Sequence, residues 1–262
     1  MRVESLPHAD WLLPGWNVPG VGALMTTRFG GVSQGAFQSL NLRDGLGDDP
    51  RAVQQNKALL QGAIGAQPVF LNQVHGAQVV RLFESDGLPD APVHNADASV
   101  TTEPGIACTA QVADCLPVLF AAPTARAVGA AHAGWRGLAL GVLEATLESV
   151  CTLAECAPSQ VQVWLGACIG PRRFEVGADV LHAFGASTTG SDTALFVHHT
   201  PGKWLANLPQ LARERLRVAG VQALSGGEWC TVEETSRFFS FRRDRVTGRM
   251  AAAIWIERRH SA

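Results

Sequence analysis

No apolar run in the 262 residues approaches the ~18 needed to cross a bilayer as a helix. The N-terminus lacks the charged-then-apolar pattern of a secretory signal. Both absences predict a cytoplasmic protein with no membrane partner. The six cysteines lack the spacing of a small disulfide-stapled domain and are expected to be reduced thiols. With 21 basic and 23 acidic residues the net charge is −2. There is no surplus of positive charge to draw the chain to nucleic acid, so no such partner is expected. Linkers, low-complexity tracts and internal repeats are also absent. The glycine-rich loop after Arg28 has neither a GxGxxG pattern nor a P-loop lysine, which removes both familiar nucleotide cradles. The eight histidines include no HxH pair. That is too few paired imidazoles for a trinuclear copper centre, and the adjacent His198 and His199 read as surface residues.

What is present suits a folded core: 47% of residues are hydrophobic and 17% charged. Strands are predicted over 21–27, 68–73, 78–82, 97–100, 106–111, 116–121, 127–131, 161–165, 194–197, 221–224 and 250–256. Asp48-Asp49-Pro50 opens a helix expected to run to about residue 60, with an aspartate N-cap and proline in the first turn. Further helices are predicted over 138–153, with Leu140, Leu143, Leu147 and Val150 as an apolar stripe, and over 175–184 and 205–218. Residues 1–20 read as irregular. The elements mix without strict βαβ alternation. The expectation is an α/β fold with a mixed β-sheet core flanked by helices, not a Rossmann fold.

The chemistry concentrates in residues 114–137. Cys115 borders one predicted strand, and His132 follows the next. Gly134 and Gly137 then form a turn into a helix, with Arg136 beside it. A helix start of this kind suits an anion. His75 sits at another strand-to-turn junction. Two readings of His75, Cys115 and His132 stay open on spacing alone. Three soft ligands can hold a zinc ion and leave a position open for water or substrate, and a thiolate with two imidazoles favours zinc over copper or magnesium. Alternatively Cys115 is a nucleophile, with His132 or His75 as its base. The other five cysteines, Cys108, Cys151, Cys156, Cys168 and Cys230, read as buried thiols.

An ordered set of short motifs goes further. Thr26-Thr-Arg-Phe-Gly-Gly-Val-Ser, Ser39-Leu-Asn-Leu, Gln73-Val-His-Gly and Ala113-Asp-Cys-Leu-Pro-Val-Leu are followed by Ala131-His-Ala-Gly-Trp-Arg-Gly and Ile169-Gly-Pro. Phe174-Glu-Val-Gly, Phe238-Phe-Ser-Phe-Arg-Arg-Asp and Thr247-Gly-Arg complete the series. Together they resemble the YfiH family, also called the laccase-domain or polyphenol-oxidase family, over roughly residues 21–256. The resemblance implies one catalytic domain over 1–262 and one zinc ion per chain on His75, Cys115 and His132. It implies phosphorolysis of purine nucleosides (adenosine, inosine, guanosine and methylthioadenosine) with phosphate, together with adenosine deamination. A copper-dependent polyphenol oxidase and a cysteine hydrolase are the alternatives. Phosphorolysis needs an anion clamp and a proton donor. Arg28, Arg136, Arg242 and Arg243 are candidate clamps, because guanidinium forks match phosphate, and Asn41 joins them as a substrate contact. Asp114 is placed as the acid or as the partner that orients a histidine. Two departures from the family pattern stand out. Gly45 stands where many members carry histidine, and Phe241 where tyrosine is common; the chain contains no tyrosine at all.

Overall fold

The computed structural model describes residues 8–16 and 18–258. In chain order the strands are β1 (Val21–Met25), β2 (Gln67–Val69), β3 (Val79–Leu82), β4 (Ala98–Thr101), β5 (Ile106–Val112), β6 (Leu116–Ala121), β7 (Val128–Ala133), β8 (Gln162–Leu165), β9 (Glu175–Val176), β10 (Phe196–Thr200), β11 (Lys203–Ala206), β12 (Ala223–Gly226) and β13 (Met250–Ile256). The helices are α1 (Pro50–Ile64), α2 (Trp135–Ala139), α3 (Val142–Ala154), α4 (Ala178–Ala183), α5 (Leu208–Val218) and α6 (Phe241–Asp244). The strands form a four-stranded sheet ordered β1-β13-β5-β2, a six-stranded sheet ordered β12-β8-β6-β7-β4-β3, and a small β10-β11-β9 sheet. Among these, β2–β5, β3–β4 and β8–β12 pair in parallel and the other pairs are antiparallel. The expected mixed α/β architecture is what forms.

The period-two alternation of each strand explains the layering. From β6, Leu116, Val118 and Phe120 pack against Leu143, Leu147 and Val150 of α3. Their neighbours Leu119 and Ala121 face the other way, onto Cys108, Val112, Met250 and Ile254 of the four-stranded sheet. That sheet's outer face, through Leu24, Ala107, Ala251 and Ala253, is covered by Leu60 and Ile64 of α1. Both large sheets are therefore buried on two faces, which is why their strands read as nearly continuous apolar runs. Each fully buried aliphatic or aromatic side chain here contributes about 1.5–3 kcal/mol of transfer free energy.

Several expected boundaries move, each for a local reason. Helix α1 does start behind the Asp49 cap, which accepts from the Arg51 N–H, but it runs on to Ile64 and stops at left-handed Gly65. The helix expected over 138–153 is two helices, broken at Gly141. Leu140 consequently leaves the stripe and is exposed, whereas Leu143, Leu147 and Val150 are buried. The helix expected over 175–184 begins instead as β9, because Glu175 and Val176 pair with Leu205 and Trp204. Those partners belong to β11, so the helix expected from 205 starts only at Leu208, behind the Asn207 cap. The strand expected over 68–73 ends at Val69, and the one over 127–131 continues to Ala133, placing His132 inside β7. Residues 1–7 and 17 of the irregular N-terminal stretch lie outside the described residues. Within the rest of it, Leu12 bridges Met25 and extends the edge of the four-stranded sheet.

Candidate functional site

Three neighbouring strand ends of the six-stranded sheet meet at one edge. In the β6–β7 pair Leu116 faces Ala133 and Pro117 faces His132. In the β4–β7 pair Ala98 faces Ala131. Continuing these registers by one residue sets Cys115 beside Gly134 and Asp97 beside His132. The second juxtaposition is direct: the His132 N–H donates to the Asp97 carbonyl at 2.7 Å. His132 shares the parity of Val128 and Ala130, so its ring points between the two large sheets. Gln73 brings in the fourth segment. Its side-chain amide donates to the Gln111 carbonyl and accepts from the Gln111 N–H, both at 2.8 Å, docking the 73–76 turn on β5.

The metal-ligating atoms of His75, Cys115 and His132 all lie within 4.8 Å of one another. Cys115 Sγ is 3.9 Å from His75 Nε2, and the two imidazoles stand nearly perpendicular with centroids 4.9 Å apart. Gly134 closes the group without filling it. A Cβ there would stand 3.0 Å from both Cys115 Sγ and His75 Cδ2, so a larger residue would take up the space between the donors. The arrangement suits a metal ion: one thiol, two imidazoles, and a clear space between them.

One carboxylate organises this group. Asp97 Oδ1 accepts from His132 Nδ1 at 2.9 Å and from the His75 backbone N–H at 2.9 Å. Its Oδ2 accepts from the Val74 N–H at 3.1 Å and the Gly76 N–H at 2.7 Å. His75 sits in the left-handed region at φ 61°, where a residue with a Cβ is rarely found, and the three converging N–H bonds hold it there. The bond to Nδ1 also fixes which nitrogen of His132 is left for Cys115, namely Nε2. Burial raises an acid's pKa, yet the bonds from His132 and the turn outweigh it and hold Asp97 below the usual carboxylate range. The same opposition acts on the Cys115–His132 pair. Burial disfavours both charges, but the mutual attraction, with Asp97 and His75 adding hydrogen bonds, lowers Cys115 to about 6 and raises His132 to about 9. The pair is therefore a thiolate and an imidazolium at neutral pH.

Asp97 is the residue that the sequence reading lacks. A lone acid among Ala96, Ala98 and Val100, all buried, was its signal. Asp114, offered as the histidine's partner, is engaged elsewhere. Its Oδ1 accepts from the Thr231 hydroxyl and its Oδ2 from the Arg242 backbone N–H, both at 2.6 Å. The candidate clamps divide as well. Arg243 has all five donors in use, on Thr231 O, Val232 O, Phe238 O and both oxygens of Asp244. Asn41 is likewise saturated, by Arg43 O, Asp48 Oδ2 and the N–H groups of Arg43 and Arg249. Neither retains a polar atom for substrate, so both are framework residues rather than contacts. Arg28 donates to Gln38 O and Thr235 O and lies over the Phe239 ring. Arg242 gives one donor to Glu175 O. Arg136 is exposed, rests on the Trp135 ring 4.8 Å away, and has no ion pair among the described residues. It belongs to a five-residue helix, too short for the anion-binding helix start that the sequence suggested.

Known proteins share this arrangement of chain. A family model described as multi-copper polyphenol oxidoreductase laccase matches residues 22–257. A purine nucleoside phosphorylase of Pseudomonas aeruginosa is 47% identical over 248 residues, covering 94% of this chain and 98% of its own. The purine nucleoside phosphorylase YfiH of Escherichia coli is 46% identical with the same coverage. A crystal structure of a Neisseria meningitidis protein superposes with a TM-score of 0.86 at 44% identity, over 95% of this chain and 100% of that one. YlmD of Geobacillus stearothermophilus gives 0.86 at 34% identity, over 96% and 98%. With the family model spanning nearly all of the described residues and relatives this similar, the chain belongs to the YfiH family of laccase-like proteins.

Proposed function

We propose that this chain is a zinc-dependent purine nucleoside phosphorylase, one catalytic domain carrying one zinc ion on His75, Cys115 and His132. The observation that carries the reading is that three-donor group, found in a chain whose relatives bearing that activity in their names align over 98% of their own length. The donor set fits zinc in kind, with a thiol already biased to thiolate and imidazoles presented as neutral ligands once a proton leaves. It is a poorer match to laccase chemistry, which needs several copper centres. Among the described residues one such group of donors occurs, and His198 and His199 are exposed on β10.

When bound, zinc would supply Lewis acidity toward a substrate oxygen and stabilise negative charge developing there. The chain's own residues do the rest. In phosphorolysis a phosphate oxygen attacks C1′ of the ribose, the C1′–N9 bond breaks, and the purine leaves with a proton. Arginines beside the donor group hold the phosphate; of the four read from the sequence, Arg136 and Arg242 keep the most donors unpaired. Asp114 positions the Arg242 segment rather than acting as the acid. Asp97 holds both histidines in place and fixes the His132 tautomer. Adenosine, inosine, guanosine and methylthioadenosine are the proposed nucleosides, and adenosine deamination is a second proposed activity. C6 and C1′ lie at opposite ends of the nucleoside, so the two reactions need two binding poses. With six free cysteines and no helix among the described residues long and apolar enough to cross a membrane, the proposed setting is the cytoplasm.

A second reading has its own support. A thiolate at about 6 beside an imidazolium is also how a cysteine nucleophile is prepared. One experiment separates the readings: metal analysis of the purified protein beside an assay of adenosine plus phosphate with product separation. About one zinc per chain, with adenine, ribose 1-phosphate and inosine appearing, is the expected result. Copper with oxygen consumption and no nucleoside turnover would favour the oxidase. Activity that survives a chelator and is lost to iodoacetamide would favour the hydrolase.

A further inference from the structure

We propose that Arg43 and Arg249, neither of which the sequence singles out, form the oxyanion side of this site and bind inorganic phosphate. The choice of phosphate rests on the phosphorylase reading above. The two arginines are 206 positions apart in the sequence and are brought together by one side chain. Asn41 Oδ1 accepts from the Arg43 N–H at 3.1 Å and from the Arg249 N–H at 3.0 Å. The Leu42 N–H adds a bond to the Arg249 carbonyl at 3.1 Å. Gly248 locks the approach: a Cβ there would lie 2.8 Å from the Phe239 ring and 2.9 Å from Asn41 Cβ. Both guanidinium groups therefore leave the backbone from a fixed, shared base.

Register places this pair at the metal-ligand group. Met250 faces Val112 across β13 and β5, so Arg249 stands opposite Ala113, next to Asp114 and Cys115. The exposed Phe241 ring lies 5.7 Å from the Arg249 guanidinium and offers an apolar face beside it. Arg249 donates from Nη1 to the Thr247 and Gly248 carbonyls. Its Nε and Nη2, and the whole Arg43 guanidinium, have no hydrogen bond or ion pair among the described residues. Other arginines of the chain are neutralised, as Arg172 and Arg173 are by Glu233, Arg215 by Glu144 and Arg237 by Glu234. Half-burial and the neighbouring Arg43 charge depress the Arg249 pKa, while Cys115 and Asp114 act in the opposite sense. Two adjacent cations with open donors are relieved by a dianion, and a guanidinium fork matches the tetrahedral oxygens of phosphate.

The test measures binding of radiolabelled inorganic phosphate by equilibrium dialysis to the full-length, metal-containing protein, beside KM values for phosphate and nucleoside. Arg43→Ala removes a side chain with no partners and is expected to leave melting temperature and metal content unchanged. It should weaken phosphate binding at least tenfold and raise the phosphate KM to match, with the nucleoside KM within twofold. Arg249→Lys, which keeps the charge and loses the fork, should act in the same direction. Unchanged phosphate binding in both variants overturns the proposal, as does a wild-type protein that binds no phosphate at millimolar concentration. Phosphate binding that depends on Arg43 in a protein that turns over no nucleoside would uphold the oxyanion site and sink the phosphorylase reading alone.

Discussion

Two neighbouring regions meet their polar requirements by different means. The strand ends carrying His75, Cys115 and His132 rely on a single buried carboxylate. Asp97 satisfies one imidazole and three backbone N–H groups at once, so the group hangs from one residue. The facing segment, residues 238–249, distributes the same task. Arg243 alone ties together the carbonyls of Thr231, Val232 and Phe238 and the Asp244 carboxylate. One region concentrates its control, the other spreads it, and the two should fail differently when cut.

The largest effect is expected at Asp97. Asp97→Ala leaves three turn N–H groups and the His132 N–H without their acceptor, and the left-handed His75 loses what holds it. Loss of an outer partner of this kind typically costs 10–100-fold in metal affinity. Zinc affinity by competition with a chromophoric chelator should fall into that range or beyond, and the cobalt-substituted protein should show an altered thiolate charge-transfer band. Asp97→Asn, which keeps one acceptor oxygen, should fall between. Equal zinc affinity in wild type and Asp97→Ala would remove Asp97 from the site.

Arg243→Ala should do the reverse, lowering stability while sparing the metal. Five donors vanish and several partly buried carbonyls lose partners, a cost of about 2–4 kcal/mol, readable as an earlier denaturant midpoint. If zinc affinity drops in parallel, the two regions are one cooperative unit and the contrast drawn here is wrong.

The smallest effect is a count of protons. In the metal-free protein between about pH 6 and pH 9 the Cys115–His132 pair holds one proton, on His132. Ligation needs both groups deprotonated, so binding expels that proton. Below about pH 6 the pair releases two, and above about pH 9 none. Zinc affinity should therefore rise roughly tenfold per pH unit through the neutral range on account of this pair, and flatten above 9. Calorimetry at pH 7.5 in buffers of different ionisation heat gives the number directly; a value of zero would contradict the thiolate–imidazolium assignment.

The contrast also explains what the sequence could and could not reveal. Strands β6 and β13 were legible because two-sided burial leaves uninterrupted apolar runs, and α1 because its cap is spelled out in Asp49-Pro50. The three soft donors were legible because Cys and His at strand borders are chemically conspicuous, and the family resemblance joined them. Asp97 was not, because an acid inside a strand looks like any other until its four donors converge from residues 74–76 and 132. The arginines were least legible. Whether Arg243 or Arg43 is free to bind an anion depends on which distant carbonyls and carboxylates reach it, and no local pattern records that. The β10–β11 hairpin was missed although Thr200-Pro-Gly-Lys carries a turn signal, since the apolar Leu205–Leu211 stretch reads equally well as a helix start.

Strand β13 has a consequence for how the molecule is made. It is the last described strand in the chain, yet it lies inside its sheet, paired on one side with β1 and on the other with β5. A chain still on the ribosome can bring together residues 75, 97, 115 and 132 from a stretch of under sixty positions. It cannot join β1 to the rest of that sheet, or give Arg249 its place beside Asn41, until translation is almost complete. Newly made protein would thus be able to capture a metal well before it could close its oxyanion side. A ribosome stalled before residue 250 should release a species that is metal-competent and inert.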